Sequence, residues 1–365
     1  MEKIKPIKRR KKVSREQGKH EKKQNKKTKK LNIFWKIVIT LVIILAILLG
    51  IAYGYIANKM GKMNQVKISD SDLGISSDTE KQLSGYRNIA IFGVDSRSDD
   101  YGVGNRSDCI VIASINNSTG KINLISVYRD TYVEIKGHGL DKITHAYSYG
   151  EAPLALNTLN TNLDLNIKEF VTVNMDSVSE IVDKLGGVKI NISQDEIKYL
   201  NDYIDATSKI TGKTTSHITT AGTHTLDGVQ AVAYSRIRYT SGGDYKRTER
   251  MRTVMEACLT KLKTKNVTEL NSFANTILPT LYTNISTGDI ISLIPNIAKY
   301  SVEKSIGWPY ETKGITLDRW YGIPVTLESN VEQLHKEAFG EKNYTVPNGV
   351  KEISNKIVTK TGYTK

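Results

Sequence analysis

From Ile37 to Ala57 the chain runs for 21 residues without a charge. A helix over this stretch is roughly 31 Å long at about 1.5 Å per residue, the thickness of a bilayer's hydrocarbon core. Trp35 lies at one end, and Tyr53 and Tyr55 near the other, where amphipathic rings favour the headgroup layer. The stretch is longer than a signal-peptide core, and no small-x-small cleavage site follows it. The pattern predicts one retained transmembrane helix over 37–57.

Residues 58–87 are polar, rich in Ser, Asp and Lys, and read as a stalk or an irregular N-terminal layer. The texture then changes. Ile89 to Val94, Cys109 to Ile115 and Lys121 to Tyr128 are apolar runs long enough for buried strands and too short for helices. The turn cluster at 116–120 joins the second and third as a hairpin. A helical pattern spans about His145 to Leu163, and a strand is expected at 169–173. Asp176 is the expected N-cap of a helix over 178–185 that Gly186 and Gly187 end. Residues 188–192 read as a strand and 226–234 as a helix.

From Tyr245 to Lys263 the signal is stronger. Met251, Val254, Met255, Cys258, Leu259 and Leu262 recur at three- and four-residue spacing. Further helices are expected near 267–281, 288–300 and 329–339, with a loose polar tail over 341–365. Strands alternating with helices predict an α/β layer domain over 88–340.

Charge changes the picture outside that domain. The formal net charge is +14, yet residues 1–30 hold 15 Lys and Arg against Glu2, Glu16 and Glu21, and the rest carries 37 basic and 35 acidic side chains. A basic segment 1–36 before the apolar span, with only Lys59, Lys62 and Lys67 just after it, predicts a cytoplasmic N-terminus and a folded part outside the cell membrane. The tail can rest on anionic membrane lipid. Nucleic acid is not expected as a partner, because the folded part is nearly neutral. Cys109 and Cys258 are too few for a disulfide scaffold or a thiolate zinc site and read as free buried thiols.

Candidate chemistry collects at strand ends. Asp95 directly follows the first run, Arg106-Ser-Asp108 precedes the second, and Arg129-Asp130 follows the third. Such ends are where a rigid sheet fixes side chains for loops to surround. Asp95 and Asp108 either share a hard divalent cation such as Mg²⁺ or are solvated loop-end carboxylates, and spacing leaves the two readings level. Arg236 and Arg238 point the same way in extended chain, and Asp244, Arg247 and Arg250 share one face of a helix's first turns. Arginines at a helix N-terminus oppose its dipole. A phosphate-like ligand gripped by guanidinium forks reconciles them; a solvated face paired with Glu249 is the bland reading. No phosphate-binding P-loop, H-E-x-x-H or G-x-S-x-G is present, and the six histidines show no metal spacing. His145 reads as a structural or rim residue.

The ordered series Val94-Asp-Ser-Arg97, Arg106-Ser-Asp108, Ser126-Val-Tyr-Arg-Asp130, Lys142-Ile-Thr-His-Ala-Tyr147, Gly186-Gly-Val188, Leu226 to Arg238 and Asp244-Tyr-Lys-Arg247-Thr-Glu-Arg250 resembles the LytR-CpsA-Psr family. The resemblance covers about Asn88 to Lys263. It implies a central mixed β-sheet flanked by helices in α-β-α layers, behind a single N-terminal transmembrane helix. It further implies a membrane-anchored phosphotransferase that moves a glycopolymer, such as wall teichoic acid or capsule, from polyprenyl pyrophosphate to peptidoglycan. In that chemistry a muramic-acid hydroxyl attacks the phosphorus next to the sugar, and polyprenyl phosphate leaves. A polyprenyl-pyrophosphate phosphatase and a membrane-bound regulator with a lipid-sensing outer domain are the alternatives.

By that likeness Asp95 and Asp108 hold Mg²⁺, or Mn²⁺ in its place. Arg129, Asp130, Arg236 and Arg238 form the implied catalytic set. Arg106, Lys142, Arg247 and Arg250 form the implied substrate-binding set. Asp130 either orients Arg129 or takes a proton. The apolar faces at 151–163, 226–234 and 251–262 are plain core or the lining of a lipid tunnel. Tyr128, Glu151 and Met251 depart from the family pattern, the first two where small residues are common and the last where Gln is usual.

Overall fold

A computed structural model of the chain describes residues 64–96 and 101–364. The basic segment and the apolar span 37–57 lie outside the described residues. Within them, no helix is long and apolar enough to cross a membrane.

Thirteen strands are described: β1 (Asn64–Gln65), β2 (Tyr86–Val94), β3 (Ser107–Asn116), β4 (Lys121–Val127), β5 (Tyr132–Ile135), β6 (Gly139–Lys142), β7 (Glu169–Val173), β8 (Val188–Ile192), β9 (Gly222–Leu226), β10 (Tyr282–Thr283), β11 (Ser301–Trp308), β12 (Thr312–Thr316) and β13 (Trp320–Pro324). Seven form the central sheet in the order β1-β10-β7-β2-β3-β4-β11. It is mixed: β2, β3 and β4 are successive antiparallel neighbours, while β7 runs parallel to β2 and β11 parallel to β4. Three two-stranded hairpins, β5–β6, β8–β9 and β12–β13, stand apart from it.

The alternation of side chains along β3 and β4 creates the layers. Ile110, Ile112, Ile125 and Val127 enter the main core with helix Ile143–Leu163 and helix Leu327–Phe339. Val111, Ala113, Ile122 and Leu124 face the other way, against Met255 and Leu259 of helix Gly243–Leu262. A separate core gathers β8, β9 and the helices Ile197–Thr211 and Gly228–Arg236 around Leu200, Ile204 and Val232's neighbours Ala231 and Ala233. The apolar faces at 151–163 and 226–234 therefore pack as core, through Leu156 and Leu159 and through Val229 and Ala231.

Four local expectations need correction. Asn174, not Asp176, caps the helix Met175–Leu185: its side-chain oxygen accepts from Ser177 N at 2.8 Å, and Asp176 sits in the first turn, where a negative charge suits the dipole. Leu226 ends β9, and the next helix starts only after Asp227, whose carboxylate forms a capping box with Gln230. The helix over 143–163 is broken at Gly150 and Glu151, just ahead of Pro153, which has no N–H to donate. The tail expected to be loose contains helix Asn348–Thr361, with Val350 and Ile357 buried in the main core. In the segment before β2, Leu73 and Leu83 are almost wholly buried, so this part lies against the core.

Candidate active site

The hairpin register explains how the site is assembled. Val111 pairs with Ser126 across β3 and β4. Continued outward, that antiparallel register sets Asp108 opposite Arg129. Arg129 Nη1 donates to Asp108 Oδ1 at 2.7 Å. On the other side of β3, Val94 pairs with Ser107, so Asp95 emerges beside the same strand end. Its side chain is exposed.

Asp130 stands between two cations. Its Oδ2 is 3.5 Å from Arg129 Nε, and its Oδ1 accepts from Lys142 Nζ at 2.7 Å. Gly322 N of β13 donates to the Asp130 carbonyl at 2.9 Å, which ties the outer hairpin to this loop.

Helix Gly243–Leu262 supplies the opposite wall. Arg247, its side chain 2% exposed, donates from Nη2 to the Asp108 carbonyl at 3.2 Å and pairs with Asp244 at 3.0 Å. Arg238 Nε lies 3.7 Å from Asp244. Arg236 reaches neutral partners instead: its Nη1 donates to Thr207 Oγ1 at 2.9 Å, and its guanidinium lies 5.2 Å from the centre of the Tyr203 ring. Burial pulls the Arg236 guanidinium below its ordinary value, while Tyr203 and Asp95 act to keep it charged. Arg129 moves upward: burial opposes its charge, but Asp108, Asp130 and Asp244 together outweigh that. Burial also pushes the Asp244 carboxyl up, against the pull of Arg129 and Arg238.

Sequence positions 95, 108, 129, 130, 142, 236, 238 and 247 thus converge on one charged cluster. Asp244, which the three-residue spacing groups with Arg247, joins it as a partner of both Arg238 and Arg247. Two residues stand apart. Arg106 is exposed, and among the described residues none holds its guanidinium. Arg250 turns inward: Nε donates to Glu196 at 2.7 Å, Nη1 to the Ile237 carbonyl at 3.0 Å and Nη2 to Thr240 Oγ1 at 2.7 Å. With its nitrogens held inside the protein, Arg250 secures the loop that carries Arg238 and follows the helix ending at Arg236. His145 is a buried structural residue whose Nδ1 lies 2.8 Å from Asp141 Oδ2.

Arg247 Nε is buried without a hydrogen-bond partner, and Arg129 Nε has only the Asp130 carboxylate, 3.5 Å away. An orphaned buried donor costs about 1–3 kcal/mol unless something else meets it. Anionic oxygens between strand ends and helix are the natural complement.

The family model of the LytR_cpsA_psr family matches residues 51–332. The chain belongs to the LytR-CpsA-Psr family. A relative from Enterococcus faecalis, a polyisoprenyl-teichoic acid–peptidoglycan teichoic acid transferase TagU, is 35% identical over 189 residues, 51% of this chain and 55% of the relative. The chain thus spans little more than half the length of that relative. The corresponding TagT of Bacillus subtilis is 32% identical over 234 residues, 62% of this chain and 70% of that one. Among solved structures, the LytR-CPS2A-psr family protein YwtF (TagT) with bound octaprenyl pyrophosphate lipid superposes with a TM-score of 0.53 at 25% identity, covering 76% of this chain and 97% of that chain.

The family departures have local consequences. Tyr128 stacks edge-on against Tyr245, with ring centroids 4.5 Å apart, and its hydroxyl fills the space where Gly307 has no side chain. Glu151 adopts φ 55° and ψ −155°, a region where glycine is at ease, and its carboxylate accepts from the Tyr282 hydroxyl at 3.1 Å. Both cysteines are free, and burial pushes the thiols of Cys109 and Cys258 up to about 12.

Proposed function

We propose that this LytR-CpsA-Psr protein is a phosphotransferase that moves a glycopolymer from polyprenyl pyrophosphate to peptidoglycan and releases polyprenyl phosphate. The observation that carries the reading is the Arg129 guanidinium, fixed to Asp108 across two strand ends, with Arg247 reaching the Asp108 carbonyl from the facing helix. The names of the E. faecalis and B. subtilis relatives support the polymer and acceptor class, and the octaprenyl pyrophosphate held by the TagT structure supports the carrier.

The acceptor hydroxyl oxygen bonds to the phosphorus nearest the sugar and loses its proton to solvent. The bond from that phosphorus to the bridging oxygen breaks, and polyprenyl phosphate leaves with the electron pair. Little covalent work falls to the protein, so positioning and charge neutralisation dominate. Arg236, whose hydrogen-bond and ring partners are neutral, meets the pyrophosphate first. Arg129 grips the reacting phosphoryl oxygens, and Arg238 and Arg247 add positive charge around them. Asp130, with an oxygen toward each of Arg129 and Lys142, orients Arg129.

Asp95 and Asp108 would hold Mg²⁺, with Mn²⁺ as a substitute. Two carboxylates at neighbouring strand ends suit a hard cation that takes its remaining ligands from water and phosphate. When bound, the ion offsets charge on the phosphate oxygens. Among the described residues no three of His, Cys, Asp and Glu gather as a metal site. The uncharged run 37–57 and the basic segment before it support a single-pass anchor, with the N-terminus cytoplasmic and the catalytic domain outside the cell membrane.

The test uses the full-length protein in detergent with a glycopolymer on polyprenyl pyrophosphate and peptidoglycan fragments. Polyprenyl phosphate and a new phosphodiester should form together, and chelation should stop both. Polyprenyl phosphate without the phosphodiester would mark a phosphatase and overturn the transferase reading. Removing residues 1–30 should leave the chemistry intact, as a nucleic-acid-binding regulator would not require.

A further inference from the structure

Lys142 links the charged cluster to Tyr321, a residue that lines a pocket nearby. Its ammonium sits on Asp130 and lies 5.7 Å from the centre of the Tyr321 ring. Beyond it, a pocket of about 380 Å³ is lined by His138, Asp141, Asp318, Arg319, Tyr321 and Lys360, among others. That volume is in the range of small-ligand sites, about 300–1,000 Å³. The turn of the β5–β6 hairpin carries His138, and the turn of the β12–β13 hairpin carries Asp318 and Arg319. Neither hairpin belongs to the central sheet.

The polar groups of this pocket are held in place by the protein itself. Asp141 Oδ2 accepts from the Tyr149 hydroxyl at 2.7 Å and lies 2.8 Å from His145 Nδ1, while Oδ1 accepts from Lys142 N at 2.7 Å. Burial alone would raise the Asp141 carboxyl, but these bonds outweigh it and keep it below its ordinary value. The Tyr321 hydroxyl donates to Asp318 Oδ1 at 2.7 Å, and Arg319 Nε donates to Asp318 Oδ2 at 2.9 Å. The exposed His138 ring lies flat on Tyr149, centroids 4.2 Å apart and planes 12° from parallel.

Charge separates this pocket from its neighbour. Asp141 and Asp318 balance Arg319 and Lys360, so a polyphosphate gains no net attraction here. The exposed His138 ring, beside fixed carboxylates and a guanidinium, suits a ring with a C–H face and a rim of hydroxyls. We propose that this pocket is a saccharide subsite taking uncharged hexopyranose rings beside the charged cluster. It deepens the transferase reading and rests on it for the role of the bound sugar, since an acceptor glycan strand and the sugars of the donor lipid offer the same ring chemistry.

The experiment titrates full-length protein in detergent with chitotetraose, an uncharged N-acetylglucosamine tetramer, by calorimetry. Arg319→Ala and His138→Ala are exposed and outside the charged cluster. Wild type should bind with Kd on the order of millimolar, and the double variant should weaken binding about tenfold at an unchanged melting temperature. Equal affinity in the two, or no binding to wild type, overturns the proposal. In transfer assays, a KM raised for the acceptor alone assigns the sugar to the acceptor strand. A KM raised for the donor alone assigns it to the donor, and either result supports the subsite. Neither KM moving would overturn it. Arg129→Ala should slow transfer by on the order of 10²–10³ yet keep chitotetraose binding. If wild type binds chitotetraose through His138 and Arg319 but transfers nothing, the transferase reading falls and the subsite stands.

Discussion

Arg129 and Asp108 face each other across the ends of β3 and β4, joined by a 2.7 Å hydrogen bond that the hairpin register dictates. The bond fixes one arm of a planar fork, Asp130 lies 3.5 Å from its Nε, and Nη2 is left for a ligand.

Replacing Arg129 with Ala should lower the rate of polyprenyl phosphate release by on the order of 10²–10³, the usual loss when one fixed donor to a developing charge is removed. Arg129→Lys should recover little, because a point-charge ammonium cannot hold Asp108 and phosphate in one plane. A single-turnover assay with saturating donor reads this directly, and wild-type turnover in Arg129→Ala would remove the residue from the site.

Arg250 and Glu196 form a buried pair, with side chains 6% and 10% exposed. Arg250→Ala should cost about 3–5 kcal/mol, because the buried Glu196 carboxylate loses its only cationic partner among the described residues and keeps just the bond from Ser193 N. Adding Glu196→Gln should restore part of the loss. Thermal unfolding measures both, and a melting temperature equal to wild type in the single variant would contradict the structural role.

Asp244 gives a pH signature. Burial raises its carboxyl in the folded state above the unfolded value, so the folded form binds the proton more tightly. Its contribution to stability therefore falls as pH rises from the unfolded value to the folded one, a window that begins near the ordinary carboxylate value of about 3.9. Asp244→Asn should flatten that slope. Denaturant midpoints at several pH values test the sign, and an unchanged slope would rule it out.

Glu151 holds a backbone conformation that suits glycine. Glu151→Gly should raise stability by about 1 kcal/mol, the relief of strain exceeding the lost hydrogen bond from Tyr282. A lower melting temperature in this variant would show that the carboxylate contact dominates.

Much of the fold was legible from local pattern. The runs at 89–94, 109–115 and 121–128 became β2, β3 and β4, because a short apolar stretch between turn signals has few other stable forms. Hairpins β5–β6 and β12–β13 were missed, since their residues alternate weakly and owe their pairing to the core beneath them. The tail helix Asn348–Thr361 was missed for a similar reason: only Val350, Ser354 and Ile357 are buried along it. At the site, the strand-end positions of Asp95, Asp108 and Arg129 were readable. The inward turn of Arg250 was not, because its partner Glu196 lies 54 residues away in the chain.

The sequence by itself determined the first three strands of the sheet and the long helix after Gly243, the segregation of positive charge into residues 1–30, and the set of acidic and basic residues placed at strand ends. Those follow from local periodicity and from hydration, which act on neighbours in the chain. The tertiary structure alone decided which charges meet. Asp108 takes Arg129, Arg247 reaches the Asp108 carbonyl, and Arg250 leaves the cluster for Glu196, because ion pairing depends on distance in space and on burial. The pocket beside Lys142 arises in the same way, where two hairpins far apart in the chain close around Asp141.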